Sequence, residues 1–134
     1  MFRFQPFALG LFILAALVAS TGHTQAQSLS EKVALQAAMQ RHVDEISVDG
    51  AILYLDTEAG EVRKIHPVTA HPIILSMGEH YVLCFDFRDD TGKDLHIDYF
   101  MARKANEYVV FHTAVSNHGL VANLMKSGKV KRLQ

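Results

Sequence analysis

The chain has 134 residues, of which 13 are basic and 14 acidic, for a formal net charge of −1 with its 8 histidines neutral. That balance excludes a dedicated nucleic-acid binder, which needs a basic field. A single cysteine excludes an internal disulfide framework and any motif built on paired cysteines.

Residues 1–26 read as a secretory signal peptide. Arg3 supplies a basic start, Phe7 to Val18 is an almost unbroken apolar run, and Thr24-Gln25-Ala26 places small residues where a signal peptidase reads. Cleavage after Ala26 is predicted, with Gln27 as the new N-terminus. The apolar run is short for a stable membrane span, so no membrane anchor is expected after cleavage. The expected compartment is periplasmic or secreted. Residues 27–134 then form one domain, large enough to bury a core without staples. Outside the cytoplasm the lone Cys84 must be buried, bound to a ligand, or paired with another chain.

Ser28 with Glu31 matches a capping box, and Leu35, Met39, Val43 and Ile46 recur at helical spacing. They predict a helix that stops near Ile46, where Ser47-Val48-Asp49-Gly50 favours other conformations. Residues 51–56 and 61–66 follow as strands, joined by a turn closed at Gly60. Pro67 and Pro72 bracket an irregular connection over 66–79, which carries His66 and His71, each immediately before a proline. That placement favours extended backbone and excludes a helical two-histidine site. The connection remains a candidate lip for a partner.

Three longer strands are predicted at 81–88, 95–103 and 108–115. Asp90-Thr91-Gly92 and Lys104-Ala105-Asn106 read as three-residue hairpin loops, with Gly92 and Asn106 left-handed. Leu120, Val121, Leu124 and Met125 predict a short last helix, capped by Asn117 and ended by Gly128. Lys126, Lys129, Lys131 and Arg132 beyond it read as a solvated tail.

The expected fold class is α+β: one N-terminal helix on an antiparallel meander of four or five strands, with a short C-terminal helix. This helix-then-meander order resembles the topology of cystatin-like helix-on-sheet domains. Folds of this kind carry many unrelated functions, so the resemblance implies no activity and no site residues.

The loop lengths set a register. In the first long hairpin Phe87 faces Leu95, Phe85 faces Ile97 and Leu83 faces Tyr99. In the second, Leu95 faces Val115, Ile97 faces Thr113, Tyr99 faces Phe111 and Met101 faces Val109. These pairs form one apolar face for the first helix. On the other face Cys84 falls opposite Asp98, Asp98 opposite His112, and Asp86 opposite His96. Val82, Phe100 and Val110 form an apolar row beside them. Directly opposed side chains approach within about 5 Å at Cβ, so Cys84, Asp86, His96, Asp98 and His112 share one patch.

Three readings of that face follow. Thiolate, imidazole and carboxylate are the usual donors for zinc and copper, which makes the five residues candidate metal ligands. The same residues also fit ordinary cross-strand charge pairs on a solvated face. Catalysis by Cys84 is a weaker reading, because the order Cys84, Asp98, His112 sets an anion rather than a base beside the thiol. The leading expectation is a small exported, non-enzymatic binding or accessory protein. Its open sheet face or its 66–79 connection would meet a partner protein or a second copy of the chain. Metal binding is the alternative, and a cysteine-dependent enzyme comes third.

Overall fold

The computed structural model describes residues 21–134, with side chains from Ser28 onward and without that of His118. The predicted signal peptide lies largely outside these residues. Helix α1 spans Thr21–Ile46 and ends where the sequence predicts. Its start differs from expectation: the backbone is already helical at Thr21, so Ser28 and Glu31 lie inside the helix rather than at its cap. Both side chains instead reach outward. Ser28 Oγ donates to the Gln134 carbonyl at 2.6 Å, and Glu31 accepts from Tyr81 at 2.6 Å.

Seven strands follow among the described residues: β1 (Ser47–Val48), β2 (Ala51–Asp56), β3 (Glu61–Met77), β4 (His80–Asp89), β5 (Asp94–Lys104), β6 (Glu107–Val115) and β7 (Lys131–Arg132). Helix α2 (His118–Lys126) lies between the last two. The first six strands pair antiparallel in chain order, and β7 pairs β3. The α+β class is as expected, but the strand number exceeds four or five. The additions, β1 and β7, are two-residue strands too short to show any periodicity.

The larger departure is β3. It is one strand through both prolines, where the sequence reading placed a strand and then an irregular connection. Two bulges make this possible. Pro67 and Thr69 pair with the adjacent Phe87 and Asp86, which leaves Val68 as one extra residue. Ala70 and Ile74 pair with Phe85 and Leu83, so residues 71–73 all lie against Cys84. Proline has no N–H to give the ladder, and a bulge is where a strand tolerates it.

One sheet face carries the main core. Leu35, Ala38, Met39 and Val43 of α1 pack against Leu83, Phe85, Phe87, Ile97, Tyr99 and Met101. Fully burying a Leu or Phe side chain contributes about 1.5–3 kcal/mol, so this helix stripe holds α1 in place. Ile46, the expected fourth member of the stripe, is 39 % exposed at the helix end.

A second, smaller core lies on the other face. Val82, Phe100, Leu75, Ala114 and Val130 are buried there, with Leu120, Val121 and Leu124 of α2 packed over them. This corrects the expected open apolar row: Val82 and Phe100 lie beneath α2, and Val110 packs with the main core.

Candidate functional site

The first long hairpin has the predicted register. Phe87 faces Leu95, Phe85 faces Ile97, Leu83 faces Tyr99, Cys84 faces Asp98 and Asp86 faces His96. Its turn explains why. Gly92 takes a φ of 85°, and the buried Asp89 carboxylate accepts the Thr91 N–H and the Lys93 N–H, both at 2.9 Å. These bonds close the three-residue loop and lock the pairing.

The second hairpin has a different register. Its loop has two residues, with Lys104 paired to Glu107, and the left-handed residue is Ala105 rather than Asn106. A bulge at Phe111 then shifts the pairing between Val110 and His112. Tyr108 and Val110 join the main core before the bulge, and Val115 joins it after. A strand that changes its inward parity midway cannot show one alternating pattern. The consequence is that Ala114, not His112, lies opposite Asp98, and His112 pairs with Phe100. His112 is exposed, with its ring 5.4 Å from that of Phe100.

His71 joins the cluster in its place. It sits in the bulge before Pro72, directly across from Cys84 and beside Asp86. Gln36 of α1 donates to the His71 carbonyl at 3.0 Å and ties the bulge to the helix. The His-Pro dipeptide was the available signal, since it marks a place where the strand must bulge. What no local pattern could give was the direction of the ring.

Four contacts link five side chains. His71 Nε2 lies 2.7 Å from Asp86 Oδ2, and His96 Nδ1 lies 2.9 Å from Asp86 Oδ1. The other nitrogen of His96, Nε2, lies 3.1 Å from Asp98 Oδ1. The Cys84 thiol donates to that same oxygen at 2.9 Å. The two imidazole centroids are 5.1 Å apart. His71, Asp86 and His96 each offer a ligand atom within 4.8 Å of the others, and so do Cys84, His96 and Asp98. Of the five predicted ligands, Cys84, Asp86, His96 and Asp98 therefore come together, and His112 does not.

Burial grades across the cluster. Asp98 is 2 % exposed, whereas the His71 and Asp86 side chains are about two-fifths exposed. The outer end opens into a cleft of about 380 Å³ lined by Val68, Asp86, Arg88, Asp94, Leu95 and His96. Arg88 and Asp94 pair at 2.8 Å on its rim, where solvent screens the exposed pair.

Proton bookkeeping gives this arrangement its chemical character. An ionised carboxylate only accepts, and a neutral imidazole has one N–H. Each nitrogen of His96 faces a carboxylate, so a neutral ring satisfies one of its two contacts. The patch sets two carboxylates and a thiol beside two imidazoles. Burial pushes the Asp86 carboxyl up, but the bonds from His71 and His96 outweigh it and hold the group below its ordinary value. Cys84 moves the other way. Burial, then the bond to Asp98 and that carboxylate's charge, push the thiol well above its ordinary range. A thiol held in this way is the opposite of an activated nucleophile.

No helix among the described residues is long and apolar enough to cross a membrane. Comparison with protein-family models, with curated proteins and with solved structures returned no match to this chain.

Proposed function

We propose that this protein is a small, non-enzymatic, extracytoplasmic binding protein whose ligand is a transition-metal ion, with zinc the expected ion and copper(II) the alternative. One observation carries the reading: His71 and His96 converge on the two oxygens of Asp86 at the mouth of an open cleft. Two imidazoles and a carboxylate are a favourable donor set for zinc, and three protein ligands leave a fourth position for water or another ligand.

The spacing supports this reading. Donors about 2.0–2.1 Å from a tetrahedral zinc are separated by about 3.3 Å. The nitrogen–oxygen contacts of 2.7 and 2.9 Å are proton-sized, so the ion would replace the bridging protons and spread the three atoms by about half an ångström. His71 sits in a bulge, which can give, and the Asp86–His96 pair on facing strands spreads by rotation of its side chains.

The test is zinc binding by the untagged protein after chelator treatment, followed by calorimetry. The wild type binds zinc, and His71→Ala and Asp86→Asn each weaken it by about tenfold or more. His112→Ala leaves the affinity unchanged. A wild-type protein that takes up no zinc overturns the proposal. So does a His71→Ala variant that takes up as many zinc ions as the wild type with the same affinity.

A further inference from the structure

The His71–Asp86–His96 triad uses only the Nδ1 side of His96. The Nε2 side faces inward, toward Asp98 Oδ1 at 3.1 Å, and that oxygen already holds the Cys84 thiol at 2.9 Å. We propose that Cys84, Asp98 and His96 Nε2 form a second, inner cation position, which takes a thiophilic ion such as zinc and gives the whole site its preference over hard ions. This rests on the reading of His96 as a metal ligand.

Three observations carry the inner position. The donor atoms lie within 4.8 Å of one another, close enough for one ion. They come from facing residues of β4 and β5, and the hairpin turn locks that pairing. Unlike His71, they need no movement of a bulge. The charges also balance. A divalent ion with one thiolate and one carboxylate is neutral, which suits a place where Asp98 is 2 % exposed. The outer triad has one carboxylate and leaves a divalent ion with a net positive charge, which suits its open cleft.

Occupation of the inner position is a simple exchange. The S–H bond of Cys84 breaks, a sulfur–metal bond forms and the proton leaves to bulk water, while His96 gives the Nε2 lone pair and keeps its Nδ1–H toward Asp86. When the outer position is filled as well, that ring proton also leaves to water and His96 bridges the two ions as imidazolate, with no oxidation. Asp98 then gives to the ion the lone pair that accepted the thiol. Hard ions such as magnesium gain nothing from the sulfur, so they have only the outer carboxylate and water to hold them.

Cobalt(II) is the probe, because thiolate ligation gives it an intense near-ultraviolet charge-transfer band that imidazole and carboxylate do not. The wild-type protein develops this band on cobalt addition, and excess zinc removes it. His71→Ala retains the band, since that residue belongs only to the outer triad. Cys84→Ser loses it. In the wild type, zinc also slows alkylation of Cys84 by about tenfold or more. Cobalt binding that depends on His71 but shows no charge-transfer band overturns the inner position and leaves the outer triad standing. Absence of any metal binding overturns both. The wild-type band and the alkylation rate need no variant to fold.

Discussion

Tyr81 donates its phenolic hydrogen to Glu31 at 2.6 Å, and Tyr108 donates to the same oxygen at 3.0 Å. Arg103 completes the group from 3.3 Å, with its guanidinium 4.8 Å from the Tyr108 ring centroid. This cluster joins the N-terminal half of α1 to β4, β5 and β6. Burial, then the Glu31 bond and charge, push the Tyr81 phenol up to about 12. The shift has a definite sign for stability. A phenol with a raised folded-state value contributes fully below its ordinary value of 10, and the contribution is lost as pH rises toward 12. Tyr54, Tyr99 and Tyr108 are all raised as well, burial being the first cause in each. The chain has four tyrosines, so each is expected to be less than half ionised at pH 10 in the folded state. The midpoint of the tyrosinate absorbance should therefore lie above pH 10, together with loss of the circular dichroism signal. Glu31→Gln should bring the onset to lower pH. A tyrosinate signal half developed by pH 10 with the fold intact would sink this account.

At the scale of elements, what could be read in the chain depended on whether a segment keeps one period. The Leu35, Met39, Val43 stripe and the β4–β5 hairpin each keep theirs, and with them Cys84–Asp98 and Asp86–His96 were placed correctly. Strands β3 and β6 do not, because bulges at Val68, at residues 71–73 and at Phe111 change which side chains point inward. One such bulge removed His112 from the patch and another supplied His71. Helix α2 was legible as a helix, but its seat was not. Leu120, Val121 and Leu124 would pack equally well on any apolar surface, and only the fold shows that they cover Val82 and Phe100. That seat gives a measurable expectation. Phe100 is 4 % exposed beneath α2, so Phe100→Ala should cost about 3–5 kcal/mol in urea unfolding, by lost burial and the cavity left behind. A loss under about 1 kcal/mol would mean that α2 does not depend on this contact.

At the scale of the molecule, the two helices divide the sheet between them. Helix α1 covers one face, α2 covers part of the other, and the Cys84–His71 chain of contacts lies on what is left. The division also makes the expected processing compatible with the fold. The buried residues of α1 begin at Leu35, and its first described side-chain bond is that of Ser28 to the Gln134 carbonyl. Removal of residues 1–26 would therefore take away none of the described core contacts. We expect the chain, expressed with its leader in a bacterial host, to be recovered from the periplasm or medium with an intact mass that begins at Gln27. A chain made directly from Gln27 should then unfold at the same urea concentration as one made from Thr21, where the described helix starts. Full-length protein retained in the membrane fraction would overturn the leader assignment. A lower midpoint for the Gln27 form would show instead that helical residues before Gln27 contribute to the fold. The expected export also bears on Cys84. With no second cysteine, a half-buried thiol bonded to Asp98 is held away from disulfide exchange until a ligand displaces its proton. The exported protein should accordingly run as a monomer on a non-reducing gel, and the same preparation should titrate with one free thiol per chain after unfolding.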